Sequence, residues 1–193
     1  YKKVFNHGLS SLFLSIISKI IILIESTNLS KIQKYKQYNK QVALDDRFEI
    51  LEVIPEISRS GFIYKYNNSA IDALENLQLD LLIRFGSGIL RGGVLEVSKF
   101  GILSLHHGDN REFRGMPAGF WEVFHAKPTT GFIIQQLTEE LDAGNVLFRG
   151  NIMTASYWLK NVANIQLKSM FFFLKLLKDI STNNALPPIE VSE

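Results

Sequence analysis

Ser104 and His106 stand two residues apart in the run Gly101-Ile102-Leu103-Ser104-Leu105-His106, and Asp142 follows in the loop Leu141-Asp142-Ala143-Gly144. In a strand, successive side chains alternate between faces, so Ser104 and His106 look the same way while Leu105 turns into the core. A polar donor, an imidazole and a carboxylate gathered at the carboxyl edge of a sheet can move an acyl group. Each residue also has a plainer reading: a strand-end histidine that is simply hydrogen-bonded, and a turn carboxylate ahead of Gly144.

Such a site depends on the elements around it. Asp80 to Gly86 reads as a buried strand, Ile89 to Phe100 as a crossover helix and Gly101 to His106 as a second strand, together a right-handed βαβ unit with parallel strands. Pro117 to Lys127 suggests a helix with proline in its first turn. Two β-rich runs, Thr130 to Leu137 and Asn145 to Ile152, flank the Asp142 loop. From Asn161 to Ile180, Val162, Ile165, Met170, Phe173, Leu174 and Leu177 recur at helical spacing. Trp121 falls on the helix after the site and reads as core rather than as an aromatic platform.

Upstream the signals are weaker. Leu9 to Ile24 is almost wholly apolar, yet it is shorter than the roughly 20 residues that cross a bilayer and contains Lys19. Ser11, Ser15 and Ser18 form a polar stripe opposite Leu12, Phe13, Ile16, Ile17 and Ile20, the pattern of a helix packed against a sheet; a signal-like or membrane-surface segment is the alternative. Asn28 to Arg47 reads as a solvated helix or connection. Phe48 to Ile54 is a strand candidate stopped by Pro55, and Ser58 to Gly61 is a loop. Asn68-Ser69 offers the N-cap of a short helix carrying Ile71, Leu74 and Leu77.

With 193 residues, 46% hydrophobic and 21% charged, the chain can build one substantial core, and a single domain over 1–193 is expected. A net charge of +2 is too small to argue for nucleic acid and leaves the partner open. Cysteine is absent, which excludes disulfides and thiolate metal sites within this chain and fits a reducing, cytoplasmic setting. Tyr1 in place of methionine reads as the start of a fragment, so the expected fold stands open to a missing first strand.

The stretch GILSLHHGDNREFRGMPAGFWEVFHAKPTTGFIIQQLTEELDAGNVL resembles the N-terminal catalytic domain of folate-dependent formyltransferases. Arg114-Gly115, Thr130-Gly131 and Leu141-Asp142-Ala143-Gly144 follow the histidine in the family's order. The resemblance implies a Rossmann-like α/β fold, an open and mostly parallel sheet with flanking helices. It also implies transfer of a formyl group from 10-formyltetrahydrofolate to an amine, with Ser104, His106 and Asp142 as catalytic residues. An amine attacking the formyl carbon builds charge on the formyl oxygen, which a protonated imidazole and a short donor stabilise, each donor being worth roughly 3 kcal/mol. The carboxylate holds the imidazole charged and relays the amine proton, for an effect on the order of 10² to 10⁴. No metal is required. His106, His107 and Asp109 could be taken for metal ligands, but neighbouring strand side chains diverge.

By the same resemblance, Phe85, Gly86, Ser87 and Gly88 on one side and Leu137, Glu140 and Leu141 on the other enclose the folate; an ordinary strand-to-helix turn is the plainer reading of the glycines. Asn110 and Arg111 face the acceptor, where Arg111 and Arg114 either bind an anion such as phosphate or brace the loop. Two positions depart from the family. Ser104 replaces an asparagine, so the hydroxyl donates itself, Asn110 or His107 donates instead, or activity is weak or absent. Gly108 to Glu112 replaces the family's Ser-Leu-Leu-Pro run. Only about 40 residues follow Ile152, too few for a tRNA-binding domain, which favours a small metabolite or amino sugar as the acceptor. A formyltetrahydrofolate hydrolase and a non-catalytic binding module are the rival readings.

Overall fold

The computed structural model describes residues 8–32, 35, 48–86, 88–113, 117–139 and 144–190. In chain order its elements are α1 (Gly8–Ser30), β1 (Glu56–Ile57), β2 (Ile63–Lys65), α2 (Asn68–Glu75), β3 (Leu82–Arg84), β4 (Ile89–Leu90), a 3-10 turn (Gly93–Leu95), β5 (Ile102–His106), α3 (Phe120–Phe124), β6 (Thr129–Gln136), β7 (Asn145–Met153) and α4 (Trp158–Asn183). The architecture is mixed α/β. A four-stranded sheet runs β3-β5-β6-β7, with β3 and β5 parallel and the later pairs antiparallel; a smaller sheet runs β1-β2-β4, with β2 and β4 parallel.

The central strand β5 is apolar on both faces, and both are covered. Leu103, fully buried, meets Ile134 and Leu147 from the sheet and Phe173, Leu176 and Ile180 from α4, with Leu105 packed against them. Ile102 on the opposite face joins Val94 and Leu95, with Ile71 and Leu74 of α2 and Leu82 of β3 against it. Full burial of a side chain of this size is worth about 1.5–3 kcal/mol, so this two-sided packing holds β5 in place. Of the apolar stripe predicted over Asn161 to Ile180, Ile165 and Phe173 lie on the inner face of α4 with Val162 and Leu177 half-buried, whereas Met170 and Leu174 are exposed and Ala163, Leu176 and Ile180 complete the buried face.

Four sequence expectations are corrected. Ile89 to Phe100 is not a crossover helix: Ile89 and Leu90 pair with β2, and Gly92, at φ +82°, turns the chain where a helix would continue. Phe48 to Ile54 forms no strand; the turn in which Gly61 N–H bonds the Ser58 carbonyl pins pairing to the residues beside it, leaving Ile50 and Ile54 exposed. The helix α2 is capped by Asn67, one residue early, whose side chain accepts from Ala70 N at 2.9 Å. The Leu9–Ile24 helix packs on α4 rather than on a sheet, because α4 already covers the sheet face; Ile16, Ile20, Ile21, Leu23 and Ile24 remain exposed. Among the described residues no helix is long and apolar enough to cross a membrane.

Polar contacts near its first turns help join α4 to the rest. The Glu25 carboxylate of α1 accepts from Leu159 N at 2.8 Å, capping α4 where Tyr157 supplies no side-chain cap. Asn161, fully buried, accepts from Ala155 N and donates to the Gly119 carbonyl and Thr130 Oγ1, at 3.0, 2.9 and 2.8 Å. It thereby ties α4 to the start of α3 and to β6. Asn161→Ala strands these groups out of water and is expected to cost about 2–4 kcal/mol, read as a lowered urea midpoint at unchanged slope. A loss below about 1 kcal/mol would show that the junction is held by packing alone.

Candidate active site

Parallel pairing of β3 with β5 sets Arg84 level with Ser104, and Phe85-Gly86 continues past the carboxyl end of β3. A cavity of about 530 Å³ opens at this edge, lined by Arg84, Phe85, Gly86, Ser104 and His107, and closed on one side by Gln166 and Met170 of α4. That volume lies in the range of small-ligand sites. Ser104 is 7% exposed, so its hydroxyl is withdrawn from bulk water. His106 ends β5 two residues further on, half-buried, on the face that strand alternation gives to Ser104.

Of the two adjacent histidines, it is His107 that lines this cavity with Ser104. Its Nε2 lies 3.0 Å from Ser169 Oγ, and Ser169 Oγ donates to the Gln166 carbonyl at 3.1 Å. With the serine proton committed there, the His107 bond is best assigned as Nε2–H donating to Ser169, which leaves Nδ1 as an acceptor. Burial, with His106 beside it, pushes the His107 pKa down to about 4. His107 is therefore neutral at pH 7, and its N–H is occupied by α4.

The segment after β5 is held by charge. Asp109 accepts from Arg149 Nη1 and from the Arg111 N–H, the latter at 2.9 Å, while Arg149 Nε donates to Glu190 at 2.9 Å. Burial pushes the Asp109 carboxyl up, but the Arg111 N–H and the Arg149 and Arg111 charges outweigh it and hold the pKa below the ordinary value. Asn110 Oδ1 accepts from Arg149 at 3.1 Å, and Arg111 lies 3.5 Å from Asp109 and 3.7 Å from Glu190. Asn110 and Arg111 thus bear on the shape of the loop. Gly131 leaves room for it: a Cβ there would sit 2.7 Å from Asp109 Cβ. His107 and Asp109 point to different partners, and no group of three metal-ligating side chains occurs among the described residues.

The remaining site residues divide. Phe85 and Gly86 join Ser104 at the cavity, and the Gly88 carbonyl accepts from Arg84 Nη2. Leu137 donates its N–H to the Ile102 carbonyl at 2.8 Å and packs at the amino end of β5, away from the Phe85-Gly86 edge. Ser87, Glu140, Leu141 and Asp142, with Arg114 and Gly115, lie outside the described residues. The strands that carry the Asp142 loop are described: Gln135 lies opposite Ser104, and Asn145 Nδ2 donates to Gln136 Oε1 at 3.0 Å. Sequence reasoning missed Arg84, Gln166 and Ser169; only Arg84 left a signal, as a lone charge inside the apolar run Leu81-Leu82-Ile83-Arg84-Phe85.

Comparison with known proteins adds kinship to this geometry. Methionyl-tRNA formyltransferase of Fusobacterium nucleatum is 31% identical over 84 residues, 43% of this chain and 27% of that protein. The Deinococcus radiodurans enzyme of the same name is 33% identical over 70 residues, 36% of this chain and 22% of that protein. These matches support a formyltransferase-family domain. The chain spans about a quarter of the length of these relatives. No family model matches it. Among solved structures, phosphoribosylglycinamide formyltransferase from Streptococcus pneumoniae TIGR4 aligns with a TM-score of 0.49 at 19% identity, over 58% of this chain and 64% of that one. The protein of that name from Bacillus halodurans gives 0.46 at 17%, over 52% and 54%.

The neutral His107 has a measurable consequence. A histidine takes up its proton near pH 6.5 when unfolded, so a folded pKa of about 4 makes the unfolded state bind the proton first. This contribution to stability is complete above pH 6.5 and is lost as pH falls towards 4. Ring NMR is expected to show His107 neutral at pH 6, and His107→Asn to flatten that part of the stability profile. Titration near pH 6.5 would contradict the assignment.

Proposed function

We propose that this domain transfers the formyl group of 10-formyltetrahydrofolate to the amine of a small molecule. The observation that carries the reading is Ser104, withdrawn from bulk water and lining a ligand-sized cavity, at the strand edge where His106 follows on the same strand. The family kinship supports the class of reaction, and Phe85, Leu105 and Met170 give the cavity apolar surface for a flat donor.

The chemistry follows from these groups. The amine nitrogen attacks the formyl carbon, a C–N bond forms and the carbonyl electron pair moves to oxygen. Ser104 O–H and a His106 ring N–H donate to that oxyanion. Asp142 accepts the amine proton, directly or through water; the oxyanion collapses, the bond to the folate nitrogen breaks, and that nitrogen takes up a proton. The products are the formamide and tetrahydrofolate. Since the His107 N–H is taken by Ser169 and Ser104 lines the cavity, Ser104 is the donor this reading assigns in place of the family's asparagine.

Purified protein supplied with 10-formyltetrahydrofolate and a panel of small amines is expected to form tetrahydrofolate only when an amine is present. His106→Ala should lower the rate on the order of 10² to 10⁴ and Ser104→Ala about a hundredfold. Formate release without any amine would reassign the acceptor to water. Folate binding by calorimetry with no turnover on any amine would make the domain a binding module.

A further inference from the structure

The strand edge beside Ser104 carries a charge that formyl transfer does not use, its head lying by Gly88, Tyr64 and Tyr66, where a second cavity of about 360 Å³ shares Arg84, Phe85 and Gly86 with the first. Arg84 is half-buried on β3, level with Ser104, and its Nη2 donates to the Gly88 carbonyl. Among the described residues, Arg91, Arg111, Arg149 and Lys127 all pair with carboxylates, whereas no ion pair joins Arg84 to one. Burial pulls its pKa down, with the Tyr66 and Tyr64 phenols acting the other way. A guanidinium stays charged even so, and it offers five N–H donors in a fork that matches a carboxylate or phosphate.

Neither cavity's lining adds a compensating charge. Ser104 and Gln166 are neutral and polar, His107 is neutral at pH 7, and Phe85, Leu105 and Met170 are apolar. A partly desolvated cation without a counter-ion is costly, and an entering anion removes that cost.

We propose that Arg84 binds an anionic group of the acceptor, a carboxylate or phosphate, so that the substrates are small anionic amines oriented with the amine towards Ser104. This rests on the cavity being the transfer site. It places anion recognition on the strand beside the reacting centre, whereas Arg111 is drawn to Asp109 and Glu190 on the loop.

The test titrates the protein with O-phosphoethanolamine, glycine and uncharged-tail ethanolamine, which separate phosphate from carboxylate and both from the bare amine. At least one anionic amine is expected to bind tenfold or more tightly than ethanolamine, with Arg84→Gln abolishing the preference and Arg84→Lys retaining part of it. A measurement independent of any variant is phenylglyoxal modification of Arg84, read by mass spectrometry, which the bound anion should slow. An equal preference in Arg84→Gln, or a modification rate unmoved by either anion, would overturn the proposal. Formyl transfer to ethanolamine and anionic amines alike, in wild type and Arg84→Gln, would remove the anion site and leave the transfer reading standing. Arg84-dependent anion binding without transfer to any amine would do the reverse.

Discussion

The parallel pairing of β3 with β5 is the constraint on which the site depends. Its register puts Arg84 beside Ser104 and leaves Phe85-Gly86 projecting past the strand edge, where the cavity forms. A slip of one residue would reverse every side chain on the shifted strand, sending Ser104 towards α4 and Leu103 out of the core. Burial opposes that slip from both faces, since Leu103 is locked against Ile134 and Phe173 while Ile102 is locked against Val94 and Leu95. The packing that holds the fold also aims the hydroxyl.

Around this strand the polar groups are satisfied in ways that leave few of them undecided. Helix α4 takes the His107 N–H through Ser169, takes the Glu25 carboxylate at its first turn and is anchored by Asn161. Arg149 gathers Asp109, Asn110 and Glu190, fixing the segment that follows the histidines. The cavity beside them is lined by Arg84, Ser104, His107 and Gln166 among otherwise apolar side chains and the Gly86 backbone. In such surroundings charge interactions are stronger than in water, which is where an oxyanion gains most from donors fixed in advance.

Much of this was legible in the chain. The strands at 82–84, 102–106, 129–136 and 145–153 and the long helix α4 all follow from apolar patterning, because the last three strands share one core with α4 and the first packs beside the second on its other face. The Ser104/His106 pair could be read from strand alternation alone. Elements outside that core were harder. The crossover between β3 and β5 carries helical-looking apolar spacing, yet Gly92-Gly93 and the pairing of Ile89 and Leu90 with β2 decide its shape, a contact from some 25 residues away that periodicity cannot encode. The apolar run in α1 looked like a sheet-packing face, but the face it would have covered is taken by α4. His107 could be counted in the sequence; its neutrality could not, since that comes from burial and from Ser169, 62 residues away.

The central claim is that Ser104 and His106 converge on one formyl oxygen. An experimental structure of the protein with a folate analogue bearing a non-transferable formyl group would test it most directly. The formyl oxygen should lie within about 3 Å of both Ser104 Oγ and a His106 ring nitrogen, with the pterin against Phe85-Gly86. An analogue bound with its formyl group away from Ser104 and His106, or in another cavity, would contradict it.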